Sequence, residues 1–105
     1  MARHGLHGSI RARPGQREAL ATLMLEAARV AGAAPGCELY VVSTVEGDDD
    51  AVWITEIWRS VEDHDASLAM PEVRQLIARG RELIDAMGER QVLTVLGGHG
   101  LDGEA

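Results

Sequence analysis

The stretch Ala51-Val52-Trp53-Ile54-Thr55-Glu56-Ile57-Trp58-Arg59, running into Ser60-Val61-Glu62-Asp63, decides the fold. Its first nine residues are mostly β-branched or aromatic, the composition of a strand. Side chains alternate between the two faces of a strand. Val52, Ile54, Glu56 and Trp58 therefore share one face, and Trp53 and Ile57 stand on the other. A sheet with one wet face alternates apolar and polar residues, and this strand carries apolar residues on both sides. Both faces want burial.

Ser60 to Asp63 has the form of a capping box, so a short helix follows and ends near Met70-Pro71. Upstream, Cys37 to Val45 is a second apolar, β-branched run, joined to the first by the polar segment Glu46 to Asp50 with its Gly47. Strands this close form an antiparallel hairpin. Further back, Leu20, Leu23, Met24, Ala27 and Ala31 recur at three- and four-residue steps, the stripe of an amphipathic helix ended by Gly32 and Pro35. His4 to Arg13 alternates, with Leu6, Gly8, Ile10 and Ala12 on one face and His7, Ser9 and Arg11 on the other. Downstream, Val73, Leu76, Ile77, Gly80, Ile84 and Met87 fall on one helical stripe with Gly88 after it, and Gln91 to Leu96 reads as a last strand.

The order is β-α-β, β-α-β, that of an α+β, ferredoxin-like split repeat with a four-stranded antiparallel sheet. Right-handed crossovers put both helical layers on one face of that sheet. The helices then cover one side of the Trp58 strand and leave the other bare. A second copy is the simplest cover, so the sequence predicts a homodimer.

All 105 residues fit one domain, with a Gly-rich tail over residues 97–105. Hydrophobic residues make up 46% with no Phe, so the core is built from Leu, Ile, Val, Ala and Met. A net charge of -7 disfavours nucleic acid as a partner. The run Asp48-Asp49-Asp50 lacks the further spaced oxygen ligands of a calcium loop and reads as a solvated turn. One cysteine, Cys37, cannot form an internal disulfide and reads as a small buried hydrophobe. There is no long apolar run and no leader pattern, so the expectation is a cytoplasmic protein with no membrane contact.

Two ionisable residues stand out. Glu56 lies between Ile54 and Trp58 on one face, where a carboxylate is costly unless it is paired or its pKa rises. It reads either as a strand-end Glu paired with an Arg, or as a pocket base. His64 follows Val61 by three residues and precedes Leu68 by four, so all three are expected to point inward. It is either a satisfied core histidine or a catalytic one. Glu56, Trp58 and His64 sit on consecutive elements and can converge on one cavity. His4 and His7 point to opposite faces of their strand and cannot chelate together, and no metal site is expected. No flavin, nicotinamide or haem signature is visible, so no cofactor is expected either.

With these residues in place, the chain resembles the antibiotic biosynthesis monooxygenase family, of the small quinol-monooxygenase type. The likeness runs through Ala12-Arg13-Pro14-Gly15, Pro35-Gly36-Cys37-Glu38-Leu39-Tyr40 and Thr55-Glu56-Ile57-Trp58-Arg59-Ser60, then His64 and Pro71. Glu-x-Trp-x-Ser is its most characteristic part. The resemblance implies a dimeric α/β barrel of two stacked sheets and oxidation of hydroquinones, phenols or anthrones by O2 without metal or flavin. Pocket roles carry over onto Glu56 and Trp58. Many relatives place their histidine at the position of Ser67, so His64 stands one helical turn early. The haem-degrading branch has a Trp and a His where this chain has Ser67 and Ile77, which disfavours that activity.

The expected function is therefore cofactor-free monooxygenation of a small electron-rich aromatic with O2. His64 and Glu56 are the catalytic candidates, and Trp58, Tyr40, His7 and Ser67 are the substrate contacts. The rival is a ligand-binding or stress-associated dimeric barrel without turnover, since one fold hosts many functions.

Overall fold

Seven elements follow in order in a computed structural model that describes residues 3–101. They are β1 (Arg3–Ala12), α1 (Arg17–Gly32), β2 (Cys37–Ser43), β3 (Ala51–Trp58), α2 (Val61–Ser67), α3 (Pro71–Gly80) and β4 (Ile84–Val95). The end of the expected tail, residues 102–105, lies outside the described residues. All strand pairings are antiparallel and the sheet order is β2-β3-β1-β4. Each β-α-β unit thus spans a strand of the other, which is the ferredoxin-like α+β fold.

β3 lies inside the sheet, and its two faces behave as its sequence dictates. Val52, Ile54 and Trp58 are 0%, 7% and 0% exposed, so this face is core. Register carries the same face across the sheet, through the pairs Leu6–Glu56 and Ile10–Val52 toward β1 and Tyr40–Glu56 and Val42–Ile54 toward β2. Leu20 of α1 packs there with Ala12, Val52 and Ile54. Burying one such side chain contributes roughly 1.5–3 kcal/mol. Toward the end of α1 the residues become small, and Ala31 and Ala34 leave room for the indole of Trp58.

The opposite face carries Trp53, Ile57 and Leu39, all half-buried, with the more exposed Val41 and Leu93. His7 lies here too, its ring 5.0 Å from that of Trp53 and its Nδ1 2.9 Å from Thr55 Oγ1. No helix covers this side among the described residues. The apolar patch that β3 foretells is present and bare.

The junction between β3 and α2 is fixed by local chemistry. Ser60 is extended, and its Oγ accepts the Asp63 backbone N–H at 3.1 Å, as its capping position requires. The Asp63 carboxylate instead pairs with Arg59 at 2.8 Å. It also lies where a Cβ on Gly36 would sit, and Gly36 has φ +86°, so only glycine fits this turn into β2. Pro71 opens α3 at a position whose N–H has no helical partner.

Two expectations are corrected. The last helix ends at Gly80, and Ile84 and Met87 belong to β4, which starts at Ile84 rather than near Gln91. A three-and-four spacing of apolar residues imitates a helix there, but β1 offers a long free edge whose N–H and C=O groups need a partner. Pairing from Arg3–Val95 to Ala12–Ile84 supplies it, with irregularities that absorb the mismatch. Gly88, read as a helix stop, sits inside the strand against Ser9, where a Cβ would collide with the Ser9 hydroxyl. In α2, Val61 and Leu68 are 47% and 45% exposed, while His64 and Ser67 are buried. The inward face of this short helix is the polar pair, not the apolar residues flanking it.

Candidate functional site

Between the helix-facing side of the sheet and the three helices lies a cavity of about 510 Å³. Its walls are mainly apolar, with Leu23, Met24 and Ala27 from α1 and Leu76 and Ile77 from α3. Five polar or charged side chains join Trp58 in the lining: Tyr40, Glu56, His64, Ser67 and Arg81. This is the shape of a small-molecule site, apolar with a few convergent polar groups.

Glu56 and Trp58 are two residues apart on β3 and so project from the same face. The indole Nε1–H donates to Glu56 Oε1 at 2.9 Å. Trp58 is fully buried, which fixes the direction of that donor and hence of the carboxylate. Of the two readings for Glu56, the pairing with an arginine is replaced by pairing with an indole. Tyr40 stands across the strand from Glu56. Burial, then the charge of Glu56, push its phenol above the ordinary range and keep it protonated through neutral pH. No described residue hydrogen-bonds its hydroxyl.

His64 enters from α2. Its ring lies edge-on to Trp58 at 5.6 Å and tilted to His4 at the same distance. Its Nδ1 is 3.3 Å from Asp65 Oδ1. A carboxylate only accepts, so Nδ1 donates in this contact and the neutral ring keeps its acceptor at Nε2. Ser67, one turn on, spends its hydroxyl on the His64 carbonyl at 2.6 Å. Cys37 is a poor nucleophile, because burial first and the Glu56 charge second push its thiol up.

Five of the six residues expected from sequence thus line one cavity: His64, Glu56, Trp58, Tyr40 and Ser67. His7 does not join them, since its side chain lies on the opposite face of the sheet, on Trp53. Arg81 also lines the cavity, a place the sequence hides because its apolar spacing runs a helix on past the true end at Gly80. Met24 and Leu76 were read as core stripe and line the cavity as well. Among the described residues, no three His, Cys, Asp or Glu side chains come together as metal ligands. No helix among them is long and apolar enough to cross a membrane.

The family model described as "Antibiotic biosynthesis monooxygenase" matches residues 4–79. A solved structure of a candidate antibiotic biosynthesis monooxygenase from Chloroflexus aurantiacus J-10-fl is 47% identical and superposes with a TM-score of 0.88, covering 95% of this chain and 99% of that one. The protein PA3566 of Pseudomonas aeruginosa shares 20% identity at a TM-score of 0.82, over 92% of this chain and 97% of its own. SnoaB, a cofactor-independent oxygenase from Streptomyces nogalater, is 13% identical with a TM-score of 0.80, over 94% and 98% of the two chains. The last two likenesses show the fold alone. No curated protein matches the chain.

Proposed function

The chain belongs to the antibiotic biosynthesis monooxygenase family, and from that premise we propose that it is a cofactor-independent monooxygenase of small electron-rich aromatics of the hydroquinone, phenol or anthrone type. One observation carries the reading: an apolar cavity holds a carboxylate oriented by an indole, and an imidazole with an open acceptor nitrogen. Deprotonating a hydroquinone gives an anion electron-rich enough to reduce O2 directly. His64 Nε2 or Glu56 takes that proton. Electron transfer to O2 and recombination form a carbon–oxygen bond, and loss of water from the peroxide leaves a hydroxyquinone. One oxygen atom enters the ring, the other leaves as water, and the substrate supplies all four electrons. Tyr40 stays protonated and donates a hydrogen bond to the anion, while Trp58 and the apolar walls orient the ring and exclude water.

A second reading, a binding protein without turnover, draws on two features. Ser67 stands where many relatives carry histidine, and the aromatic walls are few. Oxygen consumption with a panel of hydroquinones, corrected for uncatalysed oxidation, separates the two. Turnover above background supports the oxygenase, and binding without turnover supports the rival.

We also propose that the bare face of the sheet is covered by a second copy, because Trp53, Ile57, Val41 and Leu93 present an apolar surface there. Sedimentation is expected to give a dimer at micromolar concentration. Trp53→Glu should shift it to monomer, since a charge buried without a partner costs several kcal/mol per ion. A folded wild-type monomer across that range contradicts the assembly.

A further inference from the structure

Within the cavity the charged groups are arranged by sign. Glu56 is its acidic side chain and Arg81 its guanidinium. Arg3, Arg11, Arg17, Arg59 and Arg79 are engaged in ion pairs. Arg81, like Arg13, Arg29, Arg74 and Arg90, makes none among the described residues. A smaller adjoining hollow of about 300 Å³ contains Arg90, but also Glu89 and Glu56, so its charges offset one another. In the large cavity the exposed Arg81 stands at the edge of a lining whose one acidic side chain is Glu56. Glu82, next in sequence, lines a separate hollow between α1 and α3.

Strand register sets Glu56 and the segment that follows Arg81 at different levels of the sheet. Glu56 is level with Leu6 of β1, whereas Ile84, three residues after Arg81, pairs with Ala12. Those levels are six residues apart along β1, about 20 Å at roughly 3.3 Å per residue. Less the reach of the arginine itself, a ligand joining Glu56 to Arg81 is on the order of 10–15 Å long. Between them lie Met24, Ile10 and Met87.

We propose that Arg81 is a specificity residue, and that the substrate is an elongated aromatic whose oxidisable head meets Glu56 and His64 while a carboxylate at its far end meets Arg81. This rests on the oxygenase reading and narrows its substrate class. In a chain of net charge -7, anions are repelled on approach, so a cation at the exposed rim of the pocket is what makes an acid acceptable. Arg81 also caps α3, where a cation offsets the helix dipole. That structural role does not distinguish an acid from its ester.

The test uses one hydroquinone bearing an apolar arm that ends in a carboxylate, and its methyl ester. Wild type should show a KM for the acid roughly five- to tenfold below that for the ester, a size set by a charge-assisted contact weakened by solvent. Arg81→Gln should abolish that difference by raising KM for the acid alone, with kcat little changed, and Arg81→Lys should restore part of it. Added salt should narrow the preference. Equal KM values in wild type, or a loss in Arg81→Gln that is the same for acid and ester, would overturn the proposal. If neither compound is oxidised, the oxygenase reading fails, and calorimetric affinities for the same pair then decide for or against Arg81.

Discussion

His64→Ala and Glu56→Gln are expected to fold and associate as the wild type does while losing roughly 100- to 10,000-fold in oxygen uptake with a cognate hydroquinone, the usual cost of a positioned base. The physical ground is that both groups face the cavity with fixed geometry. Trp58 holds Glu56 Oε1, and the Asp65 contact leaves His64 Nε2 as acceptor. Glu56→Gln keeps an oxygen for the indole N–H and removes only the charge and basicity, so its loss reports chemistry rather than packing. If one variant collapses and the other falls only modestly, the first is the base and the second positions the substrate. Substitutions of His7 or His99 should have little effect, since His7 packs in a tilted contact with Trp53 on the opposite face of the sheet and His99 is exposed. Stopped-flow or electrode traces corrected for uncatalysed oxidation at each pH check this. Full activity in both variants contradicts the assignment.

Trp58→Ala should produce the largest loss of stability of any single substitution considered, about 3–5 kcal/mol. The indole is completely buried against Ala31 and Ala34, with Cys37, Tyr40 and Met70 around it. Small residues cannot collapse into the space it leaves. The change also strips Glu56 of its donor. Against a typical total of roughly 5–15 kcal/mol, much of the fold's margin would go. Trp58→Phe keeps most of the ring and loses the N–H, so it should remain folded yet turn over more slowly. Urea denaturation of the pair measures the first effect and steady-state kinetics of Trp58→Phe the second. A Trp58→Ala protein as stable as wild type contradicts the packing described.

The interior strand was legible because β3 is apolar on both sides, a pattern that a one-sided sheet does not produce. Leu20 and Leu23 were legible as the buried stripe of α1, and Ser60 as a cap, because local spacing alone sets them. Ile84 and Met87 were not, since their spacing suits a helix and only the free edge of β1, more than seventy residues away in sequence, makes them strand. Non-local pairing of this kind leaves little trace in a window of ten or fifteen residues. The same error hid Arg81, whose place at the cavity follows from α3 ending at Gly80. His64 was found from its position on α2 although the reason was incomplete, as its buried companion is Ser67 rather than Val61 or Leu68. His7, expected among the substrate contacts, carries its side chain on the face opposite Glu56, as strand alternation with Leu6 dictates.

In the proposed reaction the cavity inserts one atom of O2 into an aromatic substrate using the substrate's own electrons. The most direct measurement is turnover of a hydroquinone under ¹⁸O2 with the purified protein, followed by mass spectrometry of the product. The expected result is a hydroxyquinone carrying a single ¹⁸O atom, one O2 consumed per product, and label loss in His64→Ala together with rate loss. Quinone without label, accompanied by hydrogen peroxide, or no product above the uncatalysed background, would contradict it.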